Sequence, residues 1–320
     1  MIVNSEPVSV SILVPVYKVE KYIEKCAVSL FEQTYDNIEY VFVDDCSPDG
    51  SIDILKQVLS RYPRRKKQVK LITHELNRGL SNARNTAFLN STGTYIMHVD
   101  SDDYIDTKMV EIMLNEAVMK DADMVVCDFN SVFEQHLERV NVNVSSDKFL
   151  YLSSLLLRRT TINIWGRIIK REIIEKNNIL SISGLYHGED YATTPRIVYY
   201  SNIILKLGKP LYYYVRSDEH LHTHFVNEKG VSDLIRANQV LIDFFVSKGV
   251  GNMLPLEESK AMNKVNLFYS VPYSLYARVA ALYPELNLFL LDIPLHYKYI
   301  LFISKIKAFR FLYLFIRLFR

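Results

Sequence analysis

The sequence predicts an α/β fold: a mainly parallel sheet with helices on both faces. Two observations carry this. Five short apolar runs, 8–14, 38–43, 69–73, 95–99 and 124–127, alternate with stretches of helical spacing, and such alternation implies parallel strands joined by helical crossovers. The unusual polar residues each follow one of the runs: Pro15-Val16-Tyr17, Asp44-Asp45, Glu75 to Arg78, and Asp100-Ser101-Asp102-Asp103. Open parallel sheets hold their ligands at that end of the strands.

The elements follow in order. The β-branched run 8–14 reads as a strand ended by Pro15, and residues 20–33 place Tyr22, Cys26, Leu30 and Gln33 at helical spacing. A second strand over 38–43 leads to Asp49-Gly50-Ser51, turn and cap chemistry for a helix to about residue 61. A third strand spans 69–73, and Gly79 opens a helix to about residue 90. The fourth strand is 95–99, a helix covers 106–120, and the fifth strand is 124–127. Residues 129–146 alternate and read as a strand pair or a loop over the site; 191–200 is an apolar helix and 211–215 is strand-like. From about residue 229 the chain reads as helical, with Leu234, Ala237, Leu241 and Phe244 on one face.

Composition excludes several classes. With 38 basic and 36 acidic residues the net charge is +2, so no general attraction to nucleic acid is expected. Cys26, Cys46 and Cys127 are odd in number and lack metal-ligand spacing, which points to a reducing, cytoplasmic setting without disulfides or zinc. Cys46 reads as a packed thiol. Residues 1–7 lack the basic start and apolar core of a secretory signal, and no run of 18 apolar residues suggests a spanning helix.

The acidic cluster carries the chemistry. Three carboxylates within 100–103, at the exit of a buried strand, repel one another unless a cation neutralises them. Mg²⁺ or Mn²⁺ bound by one or two carboxylates keeps positions for substrate phosphates. The structural alternative is a loop that caps the helix starting near Asp106. Asp44-Asp45 likewise reads either as a turn or as an acceptor for a base N–H, and Tyr17 offers a ring for a flat base to stack on. Together these are parts of a nucleotide site.

Four motifs in order, Ser11-Ile12-Leu13-Val14-Pro15-Val16-Tyr17, Val43-Asp44-Asp45-Cys46-Ser47-Pro48-Asp49-Gly50-Ser51, Asn77-Arg78-Gly79-Leu80-Ser81-Asn82-Ala83-Arg84-Asn85 and Asp100-Ser101-Asp102-Asp103, resemble the inverting family 2 glycosyltransferases of GT-A fold. The likeness is close over 8–128 and thinner to about 216. It implies that Pro15, Tyr17 and Asp45 hold the base, that Arg84 lies by the nucleotide, that Asp102 carries the metal and that Asp100 helps hold the sugar or nucleotide. Cys46 and Ala87 stand where that pattern commonly has Gly.

The second half supplies the acceptor side. Inversion needs a carboxylate to take the acceptor proton; the resemblance implies Asp190 of Gly188-Glu189-Asp190, with Glu189 as fallback, while a plain helix cap is the bland use. Trp165 offers a face to an acceptor sugar or is a core residue, and Asp103 is a second acceptor-side candidate. The resemblance implies that Arg216, or one of His220, His222 and His224, touches the diphosphate. Residues 295–320 carry six cations and no acid among many Phe, Tyr, Leu and Ile. They read as a basic amphipathic helix for an anionic membrane surface, or as one docked on the catalytic domain or in a homodimer.

The expected organisation is a catalytic region over 1–222, with a nucleotide-sugar half to about 128 and an acceptor half after it, then a helical region over 223–320. The implied activity is that of a metal-dependent, hexosyl-type inverting transferase using a UDP-sugar. Its acceptor is a glycan or lipid-linked glycan of a bacterial surface polysaccharide, met at the inner face of the cell membrane. The rivals are a nucleotidyltransferase, for which Pro15-Val16-Tyr17-Lys18 is a poor phosphate loop, and an inactive nucleotide- or glycan-binding module.

Overall fold

The computed structural model describes residues 8–216 and 226–318. Nine strands form one sheet: β1 (Val10–Val16), β2 (Ile38–Asp44), β3 (Val69–Thr73), β4 (Tyr95–His98), β5 (Tyr104–Ile105), β6 (Met124–Val132), β7 (Leu137–Val140), β8 (Arg167–Lys170) and β9 (Ile204–Val215). The order is β3-β2-β1-β4-β8-β6-β9-β5, with β7 on β6. The β3-β2-β1-β4 half is wholly parallel, whereas β8 runs antiparallel to both β4 and β6 and joins a mixed second half. β1 is buried at every position, and all its residues but Ser11 are apolar, without alternation. Burying each of its Val, Ile and Leu side chains contributes about 1.5–3 kcal/mol.

β1 starts and ends two residues later than expected, so Pro15 lies within it. Pro15 pairs in register with Val43 of β2 but lies past Leu13, the last register partner of β4. On the β4 side no ladder needs the missing N–H. Residues 129–146 contain the expected strand pair, since β6 runs on to Val132 and turns into β7. β9 is far longer than its apolar end 211–215 suggests, and its register against β6 shifts around Cys127–Phe129.

The helices in the first part are α1 (Ile23–Phe31), α2 (Ser51–Ser60), α3 (Leu80–Leu89), α4 (Met109–Met119), α5 (Lys148–Leu156), α6 (Arg171–Lys176) and α7 (Glu189–Tyr200). After the second described stretch begins come α8 (Glu228–Ser247), α9 (Leu256–Ser270), α10 (Tyr276–Ala280), α11 (Leu295–Lys305) and α12 (Phe309–Leu318). α8 faces two cores. Its Ala237, Leu241 and Phe245 join the core around the sheet, while Val231 joins a second core with Phe268, Tyr276, Ile300, Leu301, Leu312 and Ile316.

Of the readings of the tail, a surface helix or a docked one, this second core corrects the count: the tail is two helices, each docked by one side on that core. The chain breaks at Lys307, whose φ is 58°, and α11 and α12 each bury one side. Their other sides stay exposed, as at Tyr299, Phe302 and Phe311. No helix among the described residues is long and apolar enough to cross a membrane.

Candidate active site

The site forms where β1, β2 and β4 end. A cavity of about 340 Å³ there is lined by Pro15, Tyr17, Asn77, Gly79, Leu80, Asp100, Ser101, Asp102 and Tyr186, among others. Four residues chosen from the sequence, Pro15, Tyr17, Asp100 and Asp102, thus meet around one hollow. Asn77 to Leu80 arrive with the loop entering α3. Tyr186 comes from far along the chain and was not singled out. A Cβ on Gly79 would lie 3.0 Å from the Tyr186 ring, and Gly79 has φ 84°, so glycine is needed there twice over. Tyr186 itself lies between Gly184 and Gly188, both of positive φ; that bracket is the signal that would have found it.

Asp45 is only 2% exposed. Its carboxylate accepts from the backbone N–H groups of Arg78 and Gly79 at 2.8 Å each and meets His74 Nδ1 at 2.7 Å. It therefore ties the 74–79 loop and the start of α3 to the end of β2, and it is not among the residues lining the cavity.

Arg84, on α3, is 2% exposed and joins two parts of the site. Its Nη2 donates to Asp100 Oδ1 at 2.9 Å, and its Nη1 donates to Asp190 Oδ1 at 2.6 Å and Glu189 Oε1 at 3.2 Å. One guanidinium thus spans from the cavity wall to the first turn of α7. Burial raises the Glu189 carboxyl to about 7, with the Asp190 charge adding to it and Arg84 opposing. Burial likewise raises Asp190, against the pull of Arg84. Carboxyls held up toward neutrality suit proton transfer. His98, buried beneath, is pushed down to about 3 by burial and then by Arg84, so it stays neutral.

The acidic cluster splits by role. Asp103 turns inward, accepting from the Tyr212 hydroxyl at 2.7 Å and the Val215 N–H at 2.8 Å. Burial and then Asp102 raise its carboxyl well above the usual range. Asp100 goes to Arg84, and Asp102 lines the cavity. The cluster is not a cap for α4.

Two acceptor-side expectations need correction. Trp165 is 5% exposed and stacks on Tyr212 at 4.3 Å between centroids, with Phe129 edge-on at 5.0 Å. It is a core ring beneath the site, and Asp103 has both oxygens engaged internally. Cys46 is also not packed: its side chain is exposed, and its φ of 59° shows why glycine suits that position. Arg216 is exposed at the end of β9, with its guanidinium over Tyr214. His220, His222 and His224 lie outside the described residues.

Asp102 and Asp100 offer only hard oxygen donors, and Arg84 shares Asp100. No group of three or more His, Cys, Asp or Glu is placed to hold a metal among the described residues. The pair fits Mg²⁺ or Mn²⁺ held jointly with a ligand's phosphates, not a cation caged by protein alone.

Residues 11–177 match the family described as "Glycosyl transferase family 2". The chain belongs to this family. Glycosyltransferase GlyA of Streptococcus pneumoniae serotype 4 is 32% identical over 274 residues, which is 82% of this chain but 38% of GlyA. The chain thus spans well under half of that relative. The crystal structure of S. aureus TarS 1–349 in complex with UDP-GlcNAc matches with TM-score 0.62 at 22% identity, covering 95% of this chain and 89% of that one. The mannosyltransferase PcManGT of Pyrobaculum calidifontis, in complex with GDP-Man and Mn²⁺, matches with TM-score 0.54 at 19% identity, covering 96% and 84%. These two likenesses establish the GT-A type of α/β fold.

Proposed function

We propose that the chain is an inverting glycosyltransferase that takes a hexosyl group from a nucleotide-diphosphate donor, UDP-linked, to a hydroxyl of a glycan or lipid-linked acceptor in surface polysaccharide synthesis. The observation that carries this is the Arg84 bridge, which couples Asp100 at the donor cavity to Asp190 and Glu189. Family membership supports the reaction class, and the TarS complex with UDP-GlcNAc motivates the choice of donor.

Tyr17 and Tyr186 flank the cavity and would hold the base, with Pro15 shaping its wall. Asp45 keeps the 74–79 loop in place, and Arg84 fixes Asp100 and Asp190 relative to each other. Asp102, with Asp100, would hold Mg²⁺ or Mn²⁺. Bound there, the cation supplies Lewis-acid neutralisation of the donor's diphosphate. Asp190 accepts the acceptor hydroxyl's proton as that oxygen bonds to the anomeric carbon; the bond to the diphosphate oxygen breaks and the diphosphate leaves on the opposite face. The catalytic region over 1–222 is proposed to work beside a helical region that faces a membrane.

A thermal-shift series with UDP, UDP-GlcNAc and GDP-Man, with and without Mn²⁺, tests the donor assignment. A ligand at about 100 times its Kd raises stability by about 2.7 kcal/mol. Asp190→Asn should keep the UDP-sugar shift and lower transfer by roughly 10²–10⁴. If Asp190→Asn loses the shift and keeps its turnover, Asp190 belongs to donor binding and the base assignment is wrong. If no nucleotide shifts the protein, the transferase reading fails.

A further inference from the structure

The helical region holds two adjoining hollows that the transfer chemistry does not use. The first, about 310 Å³, is lined by Lys264, Ser304, Lys305 and Lys307 together with apolar residues such as Leu286 and Phe309, and no carboxylate lines it. Lys264 is buried, and its Nζ donates to the carbonyl oxygens of Ala280 at 2.8 Å and Leu282 at 2.7 Å. An ammonium has three donors, so one remains for a guest. Burial, then the nearby Lys305 charge, holds Lys264 down to about 8, and an anion placed between the two lysines would relieve that repulsion. Glu285 also acts on Lys264, but its carboxylate is held by Lys260 at 3.2 Å. α12 starts at this cavity with no acid in its first turn, so its positive end adds to the field.

The second hollow, about 810 Å³, shares Leu286, Leu288 and Lys305 with the first. Besides these it is lined mainly by apolar Phe289, Leu295, Tyr299 and Phe302, together with Lys298 and Glu285, and Phe289 is 94% exposed. A basic cavity alone suits any anion, and an apolar groove alone names no occupant. Joined at Lys305, they match an amphiphile with an anionic head and a hydrocarbon chain.

We propose that this double hollow is a binding site for a phosphate-bearing membrane lipid, with the phosphate among Lys264, Lys305 and Lys307 and the chain along Phe289, Leu295 and Phe302. It deepens the membrane-facing reading of the helical region, on which it rests.

The test uses the full chain and sedimentation with vesicles of phosphatidylglycerol or of phosphatidylcholine. Lys305→Gln/Lys307→Gln should weaken binding to phosphatidylglycerol vesicles about tenfold or more. Arg310→Gln/Arg317→Gln removes the same charge from two residues that do not line the cavity and should weaken it only about two- to threefold. Equal losses in the two double variants overturn the site while leaving general adsorption of a basic tail intact. Absence of binding by the unaltered chain overturns both the site and the membrane reading. A short-chain phosphatidylglycerol below its micelle threshold should raise the melting temperature, and inorganic phosphate at equal concentration should not. Equal shifts assign the cavity to a free phosphate and overturn the lipid. Phe302→Ser should reduce the lipid shift, and an undiminished shift overturns the apolar half of the site.

Discussion

Replacing Arg84 with Met would strip the bridging guanidinium from Asp100, Glu189 and Asp190, whose nearest oxygens lie 2.9, 3.2 and 2.6 Å from it. Charge-assisted hydrogen bonds contribute about 1.5–3 kcal/mol each. Removing one member of a buried ionic cluster costs about 3–5 kcal/mol, because the partners keep their desolvation penalty. Asp100 is the most exposed partner, with 24% of its side chain accessible, so part of its loss is recovered by water. The expected deficit at pH 8 is therefore about 3–4 kcal/mol. It should shrink on acidification. Without the guanidinium the folded protein holds its Glu189 and Asp190 protons to higher pH than the unfolded chain does. Between the ordinary carboxylate range and neutrality the folded state then binds more protons, so stability falls as pH rises and recovers as pH falls. Urea unfolding of Arg84→Met beside the unaltered protein at pH 5.5 and pH 8 measures this. A deficit below about 1 kcal/mol at pH 8, or one equal at both values, refutes the view that Arg84 holds these carboxylates together.

Three other outcomes are expected. Asp102→Asn should abolish the Mn²⁺-dependent part of the UDP-sugar thermal shift while changing intrinsic stability by no more than about 1 kcal/mol; a retained Mn²⁺ effect would move the metal elsewhere. In the unaltered protein Glu189 is raised from its ordinary value to about 7, so its contribution makes stability decline as pH rises from about 4.5 to 7. Glu189→Gln should flatten that decline, by at most about 3 kcal/mol, and an unchanged slope in denaturant titrations would assign the proton to another group. Cys46→Gly should raise stability by up to about 1 kcal/mol by relieving a non-glycine residue at φ 59°; a lower melting temperature would mean that the thiol makes a contact that matters.

The sequence by itself determined the parallel half of the sheet and the ends of its strands. Those strands are short, apolar and separated by helical periods, so periodicity and the polar residues after each run are local signals, and Pro15, Tyr17, Asp100 and Asp102 do line one cavity. It also marked Gly188-Glu189-Asp190 as the start of a helix carrying carboxylates. What depended on distance along the chain needed the tertiary structure. Arg84 and Asp190 lie 106 positions apart, and no spacing rule brings them to 2.6 Å. Trp165 reads equally as a sugar platform or a core residue until β9 folds Tyr212 onto it. Asp103 and Asp102 are adjacent in sequence, yet the hydroxyl of Tyr212 turns one inward while the other faces the cavity. The tail reads as one amphipathic helix, on a membrane, docked or in a dimer, because composition reports amphipathicity without naming what covers the apolar side. Packing against α9 and α10 decided that one side is core, and the exposed remainder, together with the buried Lys264, made a site that neither segment spells out alone.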